Sequence, residues 1–269
     1  MITSVHNPKV QLVRQLLTHS KARHEQGAFV IEGVRLAEEA LQAGWEAQLV
    51  FFTNQLDARG KSVLDRLVAE GVSAEQVSEA VMEKISDTET PQGLLVVLAQ
   101  KTLPLPPSLD FLLILDGIHD PGNLGTILRS AAAAGAQGVL LAPGCADAWS
   151  PKVVRAGMGA HFRLAILSLG WEEIESIVKQ TARQVEIYLA DSAQGLPYTQ
   201  VDFRSPLAII VGGEAFGAGD RAASLADAKV HISLPGKSES LNAAMAASIL
   251  LFEVVRQRRG QKLEQVMLK

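Results

Sequence analysis

The chain has 269 residues, of which 48% are hydrophobic and 20% charged, and a formal net charge of −4. That length fits one large domain or two ordinary ones, and that composition excludes a disordered chain. A single cysteine, Cys145, excludes an internal disulfide and a cysteine-based zinc site, and no metal is expected.

The opening segment, Met1 to Pro8, lacks the basic and apolar regions of a signal peptide, so a cytoplasmic protein is expected. Apolar positions Val10, Leu12, Val13, Leu16 and Leu17 recur at helical spacing after Asn7-Pro8, a plausible helix start. Lys9, Arg14, Lys21, Arg23 and Arg35 form a basic run in which Glu25 and Glu32 are the only acids. Such a run reads as a solvated helical face or as a surface for phosphates, and the acidic net charge does not itself advertise a nucleic-acid partner. A strand follows at Phe29–Glu32, and Gly33 introduces a helix to about Ala43. Leu49–Phe52 reads as a strand, Lys61–Glu70 as a helix, Val81–Ile85 as part of a helix and Gly93–Ala99 as a strand. Alternating strands and helices suggest a small α/β layer structure.

The proline-rich Leu103–Leu109 is the best linker, placing a boundary near residue 105, with domains of 1–104 and 105–269. Beyond it, strands are expected at Phe111–Leu115, Gly138–Leu141, Ala165–Leu167, Glu186–Ala190, Leu207–Val211 and His231–Ser233. Helices are expected at Leu124–Ala134, Pro151–Met158, Trp171–Gln180, Asp220–Ala226 and Leu241–Arg258. The strands at Phe111 and Leu207 are continuously apolar, which implies a parallel sheet covered on both faces. No apolar run in the chain approaches the length needed to cross a membrane, so no membrane partner is expected.

Three strand-to-helix loops carry the small polar residues that suit a polar cofactor, because each gathers backbone N–H groups in one place. In the first, Gly122 and Gly125 permit a tight turn and Asn123 reads as an N-cap for the helix bearing Arg129. Arg129 could hold a phosphate or a developing anion through its planar fork, or be a surface arginine. In the second, Gly212-Gly213-Glu214 follows an apolar strand; Glu214 is a solvated loop residue, a partner of Arg129 or a contact for a substrate hydroxyl. The third brings Ser238, Ser240 and Asn242 ahead of an Ala-rich helix, with Lys237 read as a solvated cation. Gly217-Ala-Gly219-Asp-Arg-Ala222 fits a dinucleotide-binding pattern but begins six residues after its strand, which disfavours a nicotinamide oxidoreductase. Gly236-Lys237-Ser238 lacks the upstream glycine of a P-loop, and His119 and His161 stand isolated.

Together, Asn123 through Arg129, Gly212 through Glu214 and Ile232 through Asn242 resemble, in order and spacing, the three motifs of the SpoU (TrmH) family of RNA ribose 2′-O-methyltransferases, within the SPOUT superfamily. The N-terminal run Asn7-Pro8, Lys21-Ala-Arg23 and Phe29 through Leu36 resembles the accessory RNA-binding domain of that family. The resemblance implies an α/β chain whose C-terminal parallel-sheet domain carries a trefoil knot, preceded by a smaller α/β RNA-binding domain. It implies S-adenosylmethionine held by Gly212, Gly213, Ile232, Leu234 and Leu241, largely through backbone groups. It assigns catalysis to Asn123, Arg129, Glu214, Ser240 and Asn242, and RNA contact to Lys21, Arg23 and Arg35. In the family the arginine corresponding to Arg129 has been suggested as the base, whereas a protonated arginine more readily anchors a phosphate and stabilises the nascent alkoxide. The implied partners are RNA, ribosomal in preference to transfer RNA, and a second copy joined through the C-terminal domain, with the stripe Met245, Ile249, Leu251, Phe252 and Val255 at the interface or in the core. A non-catalytic RNA-binding module of the same fold is the rival reading.

Overall fold

The computed structural model describes residues 1–88, 90–180, 185–213, 217–236 and 239–267, the last seven of these by backbone alone. The chain divides into two compact units, one of residues 1–101 with 147–163, the other of 102–146 with 164–269.

The first unit opens with α1 (Pro8–Thr18), whose Val10, Val13 and Leu16 are buried as their helical spacing requires. Asn7 caps it by accepting the Lys9 N–H at 2.9 Å. A short α2 (Ser20–Gln26) follows. It was not expected, because Ser-Lys-Ala-Arg-His-Glu-Gln has no apolar periodicity; tertiary contacts hold it. Next come β1 (Ala28–Glu32), α3 (Val34–Gln42), β2 (Ala47–Phe52), α4 (Ala58–Ala69), β3 (Ser73–Gln76), α5 (Glu79–Ile85) and β4 (Leu94–Ala99). The strands form one sheet ordered β1-β4-β2-β3, with β3 parallel to β2 at the edge. Edge strand β3 is polar and half-exposed, so its sequence Ser-Ala-Glu-Gln gives no strand signal.

The second unit begins with β5 (Phe111–Asp116), α6 (Pro121–Ala134) and β6 (Gly138–Leu141). The chain then contributes α7 (Pro151–Gly157) to the first unit before returning in β7 (Ala165–Ser168). There follow α8 (Trp171–Lys179), β8 (Glu186–Asp191), β9 (Leu196–Pro197), β10 (Leu207–Gly212), α9 (Asp220–Leu225), β11 (Ala228–His231) and α10 (Ala243–Met267). Among the described residues the strands make a seven-stranded sheet, β7-β6-β5-β10-β8-β11-β9, with every paired neighbour parallel. Phe111 through Leu115 and Leu207 through Val211 are buried throughout, as expected of strands covered on both faces. The last strand lies three residues before the expected His231–Ser233: in Ala228–His231 only Val230 is buried, and the apolar Val-His-Ile run ends in the loop instead.

The segment 147–163 completes the first unit's core. The Trp149 ring lies 4.8 Å from that of Phe29 at a tilt of 57°, Phe162 lies 5.3 Å from Trp45, and Val154 and Phe162 are buried in the same cluster. His161 is buried there too; its Nε2 sits 2.7 Å from the Ala148 carbonyl, and desolvation lowers its pKa to about 4 despite that bond.

Candidate active site

The first loop is not a turn ending in a cap at Asn123. Asp120 caps α6, its Oδ1 accepting the Asn123 N–H at 2.8 Å, and Pro121 opens the helix. Gly122, Asn123 and Gly125 therefore lie inside the first turns of α6. Asn123 is freed from capping and reaches the third loop: Asn242 Nδ2 donates to Asn123 Oδ1 at 3.0 Å. Asn242 also caps α10, its Oδ1 accepting the N–H groups of Ala244 at 2.9 Å and Met245 at 3.2 Å. One side chain thus starts the last helix and ties it to the first motif. Two turns further on, Ser130 and Ser248 meet at 2.8 Å between the same two helices.

The second loop closes against the end of β5. A Cβ on Gly213 would lie 2.1 Å from the Gly117 carbonyl oxygen, and one on Gly212 would lie 2.2 Å from the Ala218 nitrogen. Only glycine permits both approaches. Asp116 Oδ2 accepts the Gly219 N–H at 2.7 Å, and Gly217 N–H bonds the Gly213 carbonyl at 3.0 Å. Gly219, read in the sequence as part of a dinucleotide turn, serves as the cap of the short α9.

At the carboxyl ends of β8, β10 and β11 lies a cavity of about 560 Å³, within the range of small-molecule sites. Gly212, Gly213, Ile232, Leu234, Ser240 and Leu241 all line it. Bare backbone at two glycines, apolar side chains and a few polar groups suit a nucleoside with a charged tail, so the residues present fit S-adenosylmethionine. Asp191 and Lys229 line the same cavity and were not singled out in the sequence. Asp191 is the first polar residue after the apolar Ile187–Ala190 strand end, the pattern that identified the three loops, so the signal was there.

Arg129 stands exposed on α6 and has no hydrogen-bond or ion-pair partner among the described residues. It does not line the cavity. Glu214, and with it the expected pairing to Arg129, lies outside the described residues, as do Lys237 and Ser238.

In the first unit the three basic residues separate. Lys21 is 84% exposed, 3.7 Å from Glu25, and Arg35 is 66% exposed, 3.3 Å from Glu39. Arg23 departs from expectation. Only 6% of its side chain is exposed, its Nε and Nη2 bond Asp147 Oδ2 at 2.8 and 2.6 Å, and its Nη1 bonds the Leu16 carbonyl at 2.5 Å. A guanidinium so placed cannot meet a phosphate; Arg23 is a packing residue. The C-terminal stripe separates as well: Leu251 is fully buried, while Met245 and Phe252 are 58% and 48% exposed.

Among the described residues no three histidine, cysteine, aspartate or glutamate side chains gather as a metal site would need, and no helix is long and apolar enough to cross a membrane.

A family model for the SpoU rRNA methylase family matches residues 110–252, just over half of the chain. The chain belongs to this family. A second model, of an MRM3-like substrate binding domain, matches residues 7–96. Among relatives, this SpoU family member is 36% identical to the human mitochondrial rRNA methyltransferase 3, over 89% of this chain and 70% of the relative. It is 33% identical to the Bacillus subtilis 23S rRNA (guanosine(2553)-2'-O)-methyltransferase RlmP, over 94% of this chain and 98% of the relative. The crystal structure of an AdoMet-bound rRNA methyltransferase from Sinorhizobium meliloti superposes with a TM-score of 0.85 at 32% identity, covering 95% of this chain and 97% of that one.

Proposed function

We propose that this SpoU family member transfers the methyl group of S-adenosylmethionine to a ribose 2′-hydroxyl of ribosomal RNA. The observation that carries the reading is the Asn123–Asn242 bond beside a glycine-walled cavity, which joins the first and third motifs at the carboxyl edge of the sheet. The names of the relatives favour ribosomal over transfer RNA.

When bound, the cofactor supplies an electrophilic methyl carbon, so the protein's task is to position the hydroxyl and manage its proton. Gly212, Gly213, Ile232, Leu234 and Leu241 hold the cofactor, mostly through backbone groups. Arg129, unpaired among the described residues, anchors the target phosphate and stabilises the oxygen as its proton leaves. Asn123 and Asn242 fix the loops, and Ser240 and Glu214 orient the hydroxyl. Lys21 and Arg35 contact RNA phosphates from the first unit, 1–101 with 147–163, while the second unit, and not the whole of the expected 105–269, performs the transfer. The end of the chain is knotted through the motif loops, a reading supported by the family's fold. Two copies pair through α10, where Met245 and Phe252 are otherwise bare.

The test is to incubate the protein with total RNA from cells lacking it and radiolabelled S-adenosylmethionine, then map ribose methylation. One new 2′-O-methyl nucleotide in rRNA is expected. Incorporation confined to tRNA, or none with intact protein, removes the proposal.

A further inference from the structure

The cavity wall holds one ion pair among its described residues. Asp191 ends β8 and Lys229 lies on the adjacent β11, where His231 is in register with Asp191. Lys229 Nζ is 3.2 Å from Asp191 Oδ2 and 2.9 Å from Gln194 Oε1. Asp191 Oδ1 accepts the N–H groups of Ala193 at 3.0 Å and Gln194 at 2.9 Å. Both lone pairs of Oδ1 are thereby occupied, and one of Oδ2; two of the three ammonium protons are placed. What remains is one acceptor site on Oδ2 and one donor on Nζ, side by side. Burial pulls the Asp191 pKa up, but the two backbone N–H bonds and Lys229 outweigh it and hold the carboxyl below its ordinary value, so Asp191 stays ionised.

We infer that Asp191 and Lys229 read the two vicinal hydroxyls of the cofactor's ribose, Asp191 Oδ2 accepting one hydroxyl proton and Lys229 Nζ donating to the neighbouring oxygen. The inference rests on the S-adenosylmethionine reading above and adds to it the residues that select a ribonucleoside. A hydroxyl is donor and acceptor at once, which matches what the pair leaves open. The rival ligand is the ammonium and carboxylate of the methionyl end. It would have to displace or crowd an existing ion pair and gather four charges in one partly buried place. A diol adds no charge. The location agrees as well: β8 lies between β10, which ends at Gly212, and β11, which leads into Ile232.

Calorimetric titration of the full chain with S-adenosylhomocysteine, its 2′-deoxy and 3′-deoxy forms and 5′-methylthioadenosine tests this. The unaltered chain should bind each deoxy form about 10-fold or more weakly than S-adenosylhomocysteine, since a partly buried charged group covered by the ligand is left without a partner. Asp191→Asn should bind S-adenosylhomocysteine about 10-fold more weakly and discriminate poorly between ribo and deoxy ligands. Equal binding of ribo and deoxy ligands by the unaltered chain overturns the inference without any variant. So does an Asp191→Asn protein that still discriminates fully. If the loss in Asp191→Asn disappears for methylthioadenosine, which keeps both hydroxyls and lacks the amino-acid end, the carboxylate reads the ammonium instead. No binding of S-adenosylhomocysteine at all removes the cofactor assignment itself, and this inference with it.

Discussion

Replacing Arg23 by methionine should destabilise the N-terminal unit while leaving the protein's affinity for RNA unchanged. The stem of the side chain is kept and the guanidinium removed. Asp147 then loses its guanidinium partner but retains the Trp149 N–H at 2.9 Å, and a quarter of its side chain stays exposed to water. The cost should therefore fall below the 3–5 kcal/mol of a fully buried broken pair, at about 2–3 kcal/mol. The Leu16 carbonyl, among the last of α1 and without an intrahelical partner, also loses the cation that satisfied it, adding about 1 kcal/mol. For a unit of this size, a total of about 3–4 kcal/mol corresponds to a fall in Tm of roughly 10–15 °C. Scanning calorimetry at pH 7 measures it, and adding Asp147→Asn should restore about 2 kcal/mol by removing the stranded charge. RNA affinity against salt, measured by anisotropy well below the transition, should keep its slope. A Tm within 2 °C of wild type, or a slope flattened as though one phosphate contact had gone, would refute the reasoning.

Changing Lys21 and Arg35 to alanine should do the reverse, leaving Tm nearly unaltered and reducing the salt slope by roughly 0.7–0.9 per lost contact; an unaltered slope returns both to the solvated face. Arg129→Ala should lower kcat by about 100-fold or more with S-adenosylhomocysteine affinity within a few-fold, and normal turnover would take Arg129 out of the reaction. In Gly213→Ala the new methyl would stand 2.1 Å from the Gly117 oxygen, so cofactor affinity should drop more than about 10-fold by calorimetry; unchanged affinity would mean the loop yields at little cost. His161 is neutral when folded, with its pKa lowered by burial from 6.5 to about 4, so the unfolded chain binds more protons between those values. Stability is then complete above pH 6.5 and falls by about 3 kcal/mol as pH drops to 4. His161→Phe should flatten that part of the denaturation profile, and an identical profile in the variant would assign the loss to other groups.

The apolar strands of the parallel sheet were legible because burial on both faces leaves no ambiguity of period: Phe111–Leu115 and Leu207–Val211 could be read almost to the residue. Motifs were legible as a set, and the structure brings Gly212, Gly213, Ile232, Leu234, Ser240 and Leu241 around one cavity. What escaped was everything decided by distant partners. The sequence offers Arg23 as one more cation in a basic run; its burial depends on Asp147, 124 residues away. Asn123 reads as a cap because asparagine caps well, yet Asp120-Pro121 just before it is the stronger start signal and releases Asn123 to bond Asn242. Polar α2 and edge strand β3 have no periodicity of their own, so only the fold shows them.

The segment 147–163 has a consequence for the order in which this protein can be made. Phe29, Trp45 and Arg23 emerge early in synthesis, but Trp149, Val154 and Phe162, which close their core, lie more than a hundred residues later. Domains built from contiguous sequence can finish folding while the ribosome is still at work on the next one. Here the first unit must wait, with an aromatic face open, until β5 and β6 of the second have been translated. A nascent chain released at residue 101 should therefore attract chaperones, and one carried past residue 163 should not.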